Sequence, residues 1–157
     1  IKVCVLERPR HDKLIEELRI SGVKICLITD GDVAGVIHCA ETDKTGIDIY
    51  MGQGGAPEGV LAAAALKCLG GQFQGRLVFR TEEEKERARK VGLENLKKKY
   101  ELNDLVKSDV IFAATGVTNG SMVSGIRFKR NTIEAETLLM RSKTRSIRYL
   151  KYKQNLS

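Results

Sequence analysis

Four short stretches hold residue types suited to binding anions, sugars or hard cations: Arg8-Pro9-Arg10-His11, Asp30-Gly31-Asp32, Gly52-Gln53-Gly54-Gly55-Ala56-Pro57-Glu58-Gly59 and Thr115-Gly116-Val117-Thr118-Asn119-Gly120. Arg8 and Arg10 flank a proline that fixes the local backbone, at an expected helix start. A guanidinium offers a planar donor fork to paired anionic oxygens, and helix N-terminal amides favour the same charge, so phosphate suits this pair. Two solvated surface arginines are the competing reading. A histidine in the place of His11 more often caps or packs than catalyses. Asp30 and Asp32 straddle a glycine at a strand-to-helix turn, where turn chemistry competes with hydrogen bonding to vicinal sugar hydroxyls.

The glycine-rich stretch is neither a dinucleotide fingerprint, since Pro57 takes the place of the third glycine, nor a P-loop, since Gly-Lys-Ser/Thr is missing. Pro57 suits the first position of a helix and puts Glu58 in the first turn. There its carboxylate either complements the helix dipole or faces outward as an oxygen ligand for a divalent cation. One carboxylate alone is a weak metal site.

These stretches follow apolar runs that read as strands. Val3 to Leu6, Val23 to Ile28, Ile47 to Met51, Arg76 to Phe79 and Val110 to Ala114 are expected strands. Pro9 to Ser21, Asp32 to Cys39, Pro57 to Leu69 and Thr81 to Tyr100 are expected helices. Past Gly116 the helical period is lost, and short segments near 122–128, 132–140 and 145–152 read as strands. The fold class is therefore α/β, a mostly parallel or mixed sheet flanked by helices with extra β-strands after residue 120, in a single domain over residues 1–157. In such a sheet ligands sit beyond the carboxyl ends of the strands, so the four stretches are expected on one rim.

Composition narrows the function. The 157 residues carry 27 basic and 20 acidic side chains, yet Arg141, Lys143, Arg145, Arg148, Lys151 and Lys153 fall after the last acid, Glu136, and account for almost all of the excess. A basic terminal segment without interleaved readers points away from nucleic acid and towards an edge strand kept soluble by its charges. No apolar run approaches the roughly 20 residues that cross a bilayer, and neither a membrane nor a targeting segment is expected. Cys4, Cys26, Cys39 and Cys68 lack the paired spacing of a zinc site and suit a reducing cytoplasm. Because the first residue is Ile1 and a buried strand begins at once, the chain is expected to be a piece of a longer protein.

In this order, RPRHD, DGD, GQGGAPEG, ATGVTNG and the segment ETLLMRSKTRSIRYL resemble the C-terminal half of the class II fructose-1,6-bisphosphatases, the GlpX type, from the first strand to about Tyr152. The resemblance implies metal-dependent hydrolysis of the 1-phosphate of fructose-1,6-bisphosphate in gluconeogenesis, with Mg²⁺ or Mn²⁺, and sedoheptulose-1,7-bisphosphate as a further substrate of cyanobacterial relatives. It implies that Arg8 and Arg10 contact a substrate phosphate, Asp30 and Asp32 the sugar, that Gly55 allows close backbone approach, and that Glu58 is a metal ligand. The implied partners are the sugar bisphosphate, the other half of the same enzyme and further copies in a homo-oligomer. Two departures are small: the family usually has Lys where Arg8 stands, and the loop at Thr42 to Gly46 is slightly longer. The large one is that the family's acidic metal-binding motifs, of the D-P-[IL]-[ED]-G-T kind, have no counterpart here, which implies little or no phosphatase activity for these residues alone. A phosphosugar-binding module without catalysis is the alternative, and a nucleic-acid protein acting through the basic tail is a third class.

Overall fold

The computed structural model describes residues 1–29 and 31–156, without the side chain of Asp32. The chain opens with β1 (Lys2–Leu6), a 3-10 turn (Pro9–His11), α1 (Asp12–Ile20), β2 (Lys24–Ile28), α2 (Asp32–Ala40), α3 (Thr42–Thr45), β3 (Ile49–Tyr50) and α4 (Ala56–Leu69). There follow β4 (Gln74–Arg76), α5 (Glu82–Lys90), β5 (Lys99–Glu101), α6 (Leu102–Leu105), β6 (Ile111–Thr115), β7 (Arg127–Lys129), β8 (Thr132–Arg141) and β9 (Ser146–Asn155). This is an α/β fold, as the alternation of apolar runs and helical periods implies.

The single sheet expected from that alternation is instead divided. Among the described residues the strands form a parallel sheet in the order β2-β1-β3, an antiparallel pair β4-β5, and an antiparallel sheet in which β6 and β7 lie along one side of β8 and β9 along the other. β1 is central in the first sheet and its last four residues are buried, as an uninterrupted apolar strand covered on both faces should be. Val3 and Val5 pack on Ile15 of α1. The Ala-rich α4 has no polar face over Ala62 to Leu66, and its small side chains let it lie between α2 and the antiparallel sheet. There Ala63, Ala64, Ala65 and Cys68 share a core with Ile37, Phe112, Leu138 and Met140.

Three expected elements change. The helix expected over Thr81 to Tyr100 ends at Lys90, because Gly92 takes a left-handed φ of 88° and closes the end twice: its N–H donates to the Arg89 carbonyl at 2.9 Å, and the Leu93 N–H donates to that of Ala88 at 3.0 Å. The freed chain returns as β5 against β4, so the strand expected at Arg76 to Phe79 lies earlier, at Gln74–Arg76. Val110 to Ala114, read as buried and parallel, is β6, which runs antiparallel to β8 with Phe112 inward and Ile111 outward. Of the last three segments, the one at 122–128 is a loop that enters β7 only at Arg127, and the others become β8 and β9. The basic tail is indeed an edge strand: among the described residues β9 pairs with β8 alone, with Lys151 and Lys153 opposite Glu136 and Glu134.

Three cysteines shape the response to alkali: burial raises Cys68, and Cys4 and Cys39 further. Burial, and then the neighbouring Cys26 thiol, push Cys4 up to about 11, while burial pushes Cys39 up to about 12. A raised folded-state value means that the folded chain holds these protons more tightly. The resulting stability is complete below pH 9 and is lost as pH climbs towards 11 and then 12. Thermal unfolding followed from pH 8 to 11 should show a falling midpoint, and Cys4→Ala with Cys39→Ala should flatten that fall.

Candidate functional site

The first strand and the glycine-rich loop meet at the carboxyl end of the parallel sheet. Arg8 is extended, with φ −145° and ψ 148°, as the residue before a proline must be, and its Nη1 donates to the Glu7 carbonyl at 2.9 Å. Two residues on, Arg10 Nε donates to the Gln53 carbonyl at 2.6 Å. That bond ties the Arg10 guanidinium to the backbone of the loop. Arg10 is exposed and Arg8 half-buried, so both charges stay at the surface.

From Gln53 the loop runs through Gly54 to Gly55, the N-cap of α4, with extended φ −68° and ψ 154°. The helix begins at Ala56, one residue earlier than expected, so Pro57 is second and Glu58 third. The exposed Glu58 carboxylate folds back over the N-cap, and a Cβ added to Gly55 would collide with its Oε2. Gly55 thus leaves room for this carboxylate close to the backbone. Arg10 and Glu58 are therefore joined through one short loop on one rim. The α3 segment, Thr42–Thr45, lies at the surface, as expected of a slightly longer loop.

Asp30 lies outside the described residues, as does the side chain of Asp32, whose backbone opens α2 next to Gly31. The fourth stretch does not reach the rim as the end of a parallel strand. It forms the turn beyond antiparallel β6, closed by the Ile126 N–H donating to the Val117 carbonyl at 3.1 Å and the Gly125 N–H to Asn119 Oδ1 at 3.0 Å. The Ser124 N–H donates to Glu136 Oε2 at 2.7 Å and holds that carboxyl below its ordinary range. The turn still approaches the second strand: Ser121 lines a cleft of about 350 Å³ with Leu27, Ile28, Thr29, Ala34 and His38. Sequence reasoning missed Gln53, because its contribution is a backbone peptide and only a neighbouring side chain reveals it.

The donor set fits part of a metal site and not a whole one. Among the described residues no group of three or more His, Cys, Asp or Glu side chains is placed to hold a metal ion. Glu58 is a single oxygen donor, so further ligands would have to come from Asp30, Asp32 or outside these residues.

Residues 1–154 match the model of the family described as bacterial fructose-1,6-bisphosphatase, glpX-encoded. The chain belongs to that family. Among the glpX-type fructose-1,6-bisphosphatases it is 41% identical over 161 residues to the class 2 fructose-1,6-bisphosphatase of Haemophilus influenzae, covering 94% of this chain and 48% of the relative. It is 39% identical over 163 residues to the D-fructose 1,6-bisphosphatase class 2/sedoheptulose 1,7-bisphosphatase of Synechococcus sp. strain JA-3-3Ab, covering 96% and 47%. The chain thus spans about half the length of these glpX-type relatives.

Proposed function

We propose that this chain is the sugar-bisphosphate-binding half of a cytoplasmic fructose-1,6-bisphosphatase, which hydrolyses the 1-phosphate of its substrate to fructose-6-phosphate and phosphate in gluconeogenesis. The observation that carries the reading is the Arg10–Gln53 bond, which sets an anion-seeking fork and the Glu58 carboxylate on the same loop. Arg8 and Arg10 take a phosphate of the substrate, since charge-assisted hydrogen bonds from guanidinium groups are among the strongest a surface offers. Asp30 and Asp32 accept from sugar hydroxyls. Glu58 contributes one oxygen ligand to Mg²⁺ or Mn²⁺, which when bound polarises the phosphoryl group and activates water.

The other half of the enzyme is the proposed partner, and the antiparallel sheet offers it a face. Residues directly opposite one another in an antiparallel ladder share a face. The face turned away from Phe112, Leu138 and Met140 therefore carries Ile111, Phe128, Leu139, Leu150 and Tyr152. Phe128 is 75% exposed, Ile111 63% and Tyr152 55%, so large apolar side chains stand open on this one face. Arg141 and Arg148 lie on it with no carboxylate in the same ladder positions, so the covering surface should be apolar with acidic groups opposite them. The curated relatives are about twice as long as this chain, which supplies the occupant. Phe128→Ser with Leu150→Ser should leave the melting temperature of this chain nearly unchanged and abolish its pull-down by the separately expressed other half; retained capture would contradict the assignment.

The direct test is phosphate release. The 157-residue chain with Mg²⁺ or Mn²⁺ should release no phosphate from fructose-1,6-bisphosphate above background, whereas the chain joined to the family's other half should turn over. Robust turnover by the chain alone would refute the proposal. A phosphosugar-binding module without catalysis is the second reading, favoured by the absence of a three-ligand cluster among the described residues; failure of the joined protein to turn over, with binding intact, selects it.

A further inference from the structure

His11 is 2% exposed and sits in the 3-10 turn between the two arginines' loop and α1. Its Nδ1 lies 2.6 Å from the Leu6 carbonyl and its Nε2 2.7 Å from the Gln53 backbone nitrogen. The Gln53 N–H donates to Nε2, which leaves Nδ1 to carry the proton that bonds the Leu6 carbonyl; Nε2 also stands 3.2 Å from the Gln53 carbonyl. The carbonyl of the same Gln53 residue accepts from Arg10. Two adjacent residues of one turn thus grip both backbone polar groups of Gln53. The ring also lies against the loop: a Cβ on Gly52 would stand 3.2 Å from His11 Cε1.

From this geometry we infer that His11 is a positioning residue for the sugar bisphosphate, acting through the Gln53 backbone to hold Arg10 and the Glu58-bearing loop in register. The inference rests on the functional reading above. Gly52, Gly54 and Gly55 give the loop unusual backbone freedom, and a loop that must be ordered on binding weakens affinity. Anchoring Gln53 from both sides removes most of that freedom before the ligand arrives. A buried imidazole needs a partner at both ring nitrogens, and here the second partner is the backbone of the binding loop itself.

The test uses two variants of the 157-residue chain, titrated calorimetrically with fructose-1,6-bisphosphate alongside thermal unfolding and hydrogen exchange at the Gln53 amide. His11→Asn retains a donor near Nδ1 and lacks the acceptor for Gln53, whereas His11→Gln places an amide oxygen near Nε2. Expected are faster Gln53 exchange and about tenfold weaker binding in His11→Asn, with both largely recovered in His11→Gln despite a similar loss of melting temperature. Equal affinity in all three chains, or equal loss in both variants in step with stability, would overturn the inference and leave the functional reading standing. Absence of binding by the wild-type chain would overturn that reading, and this inference with it.

Discussion

Arg10→Ala should weaken the binding of fructose-1,6-bisphosphate to this chain by about 10–100-fold, since a hydrogen bond to a charged group contributes about 1.5–3 kcal/mol and each 1.4 kcal/mol is tenfold. The loss has two sources. A phosphate loses a positively charged planar partner, and the Gln53 carbonyl loses the donor that ties the glycine-rich loop to the first strand. Arg10→Lys should recover only part of the affinity, because an ammonium keeps the charge without the fork. Arg89→Ala, on the exposed face of α5, is the matched control and should bind as the wild type does. Calorimetric titration at fixed ionic strength reads all three. Unchanged affinity in Arg10→Ala would remove the arginine turn from the site.

Glu58→Gln in the full-length enzyme should lower kcat by about 100-fold or more, because a divalent cation supplies several kcal/mol of charge stabilisation and each 1.36 kcal/mol is tenfold in rate. The substitution preserves shape, so the fold over Gly55 can persist while the charge is lost. The Mn²⁺ concentration needed for half-maximal rate should rise with it. Substrate binding by the isolated 157-residue chain in the presence of a chelator should scarcely change, since that binding is assigned to the arginines. A full-length Glu58→Gln enzyme with wild-type kcat and metal requirement would show that the carboxylate only complements the helix dipole.

The local elements were legible where one period ran without interruption. The β1 run, the β2 run and the Ala-rich α4 each carry a single unbroken signal, and their bounds fall within a residue or two of expectation. The end of α5 was present in the sequence as Gly92 but was masked by the lysines at 97–99, which complement a helix C-terminus that lies elsewhere. The division into sheets was not legible, because strand direction and partner are set by contacts far apart in the chain. Ile111–Thr115 is apolar almost throughout, as a buried parallel strand would be, yet it lies in an antiparallel ladder with one face exposed. Of the candidate site, the charged side chains were visible in the sequence and the tie between them was not. Arg10 and His11 act on the backbone of Gln53, and every residue but proline has such a backbone.

The most direct measurement is a titration of the 157-residue chain with fructose-1,6-bisphosphate in the presence of a chelator, repeated with an Arg8→Ala, Arg10→Ala double variant. Saturable metal-independent binding that the double variant loses is the result expected if this rim is the phosphate-binding wall of the enzyme. No binding by the wild-type chain, or equal binding by the double variant, would contradict it.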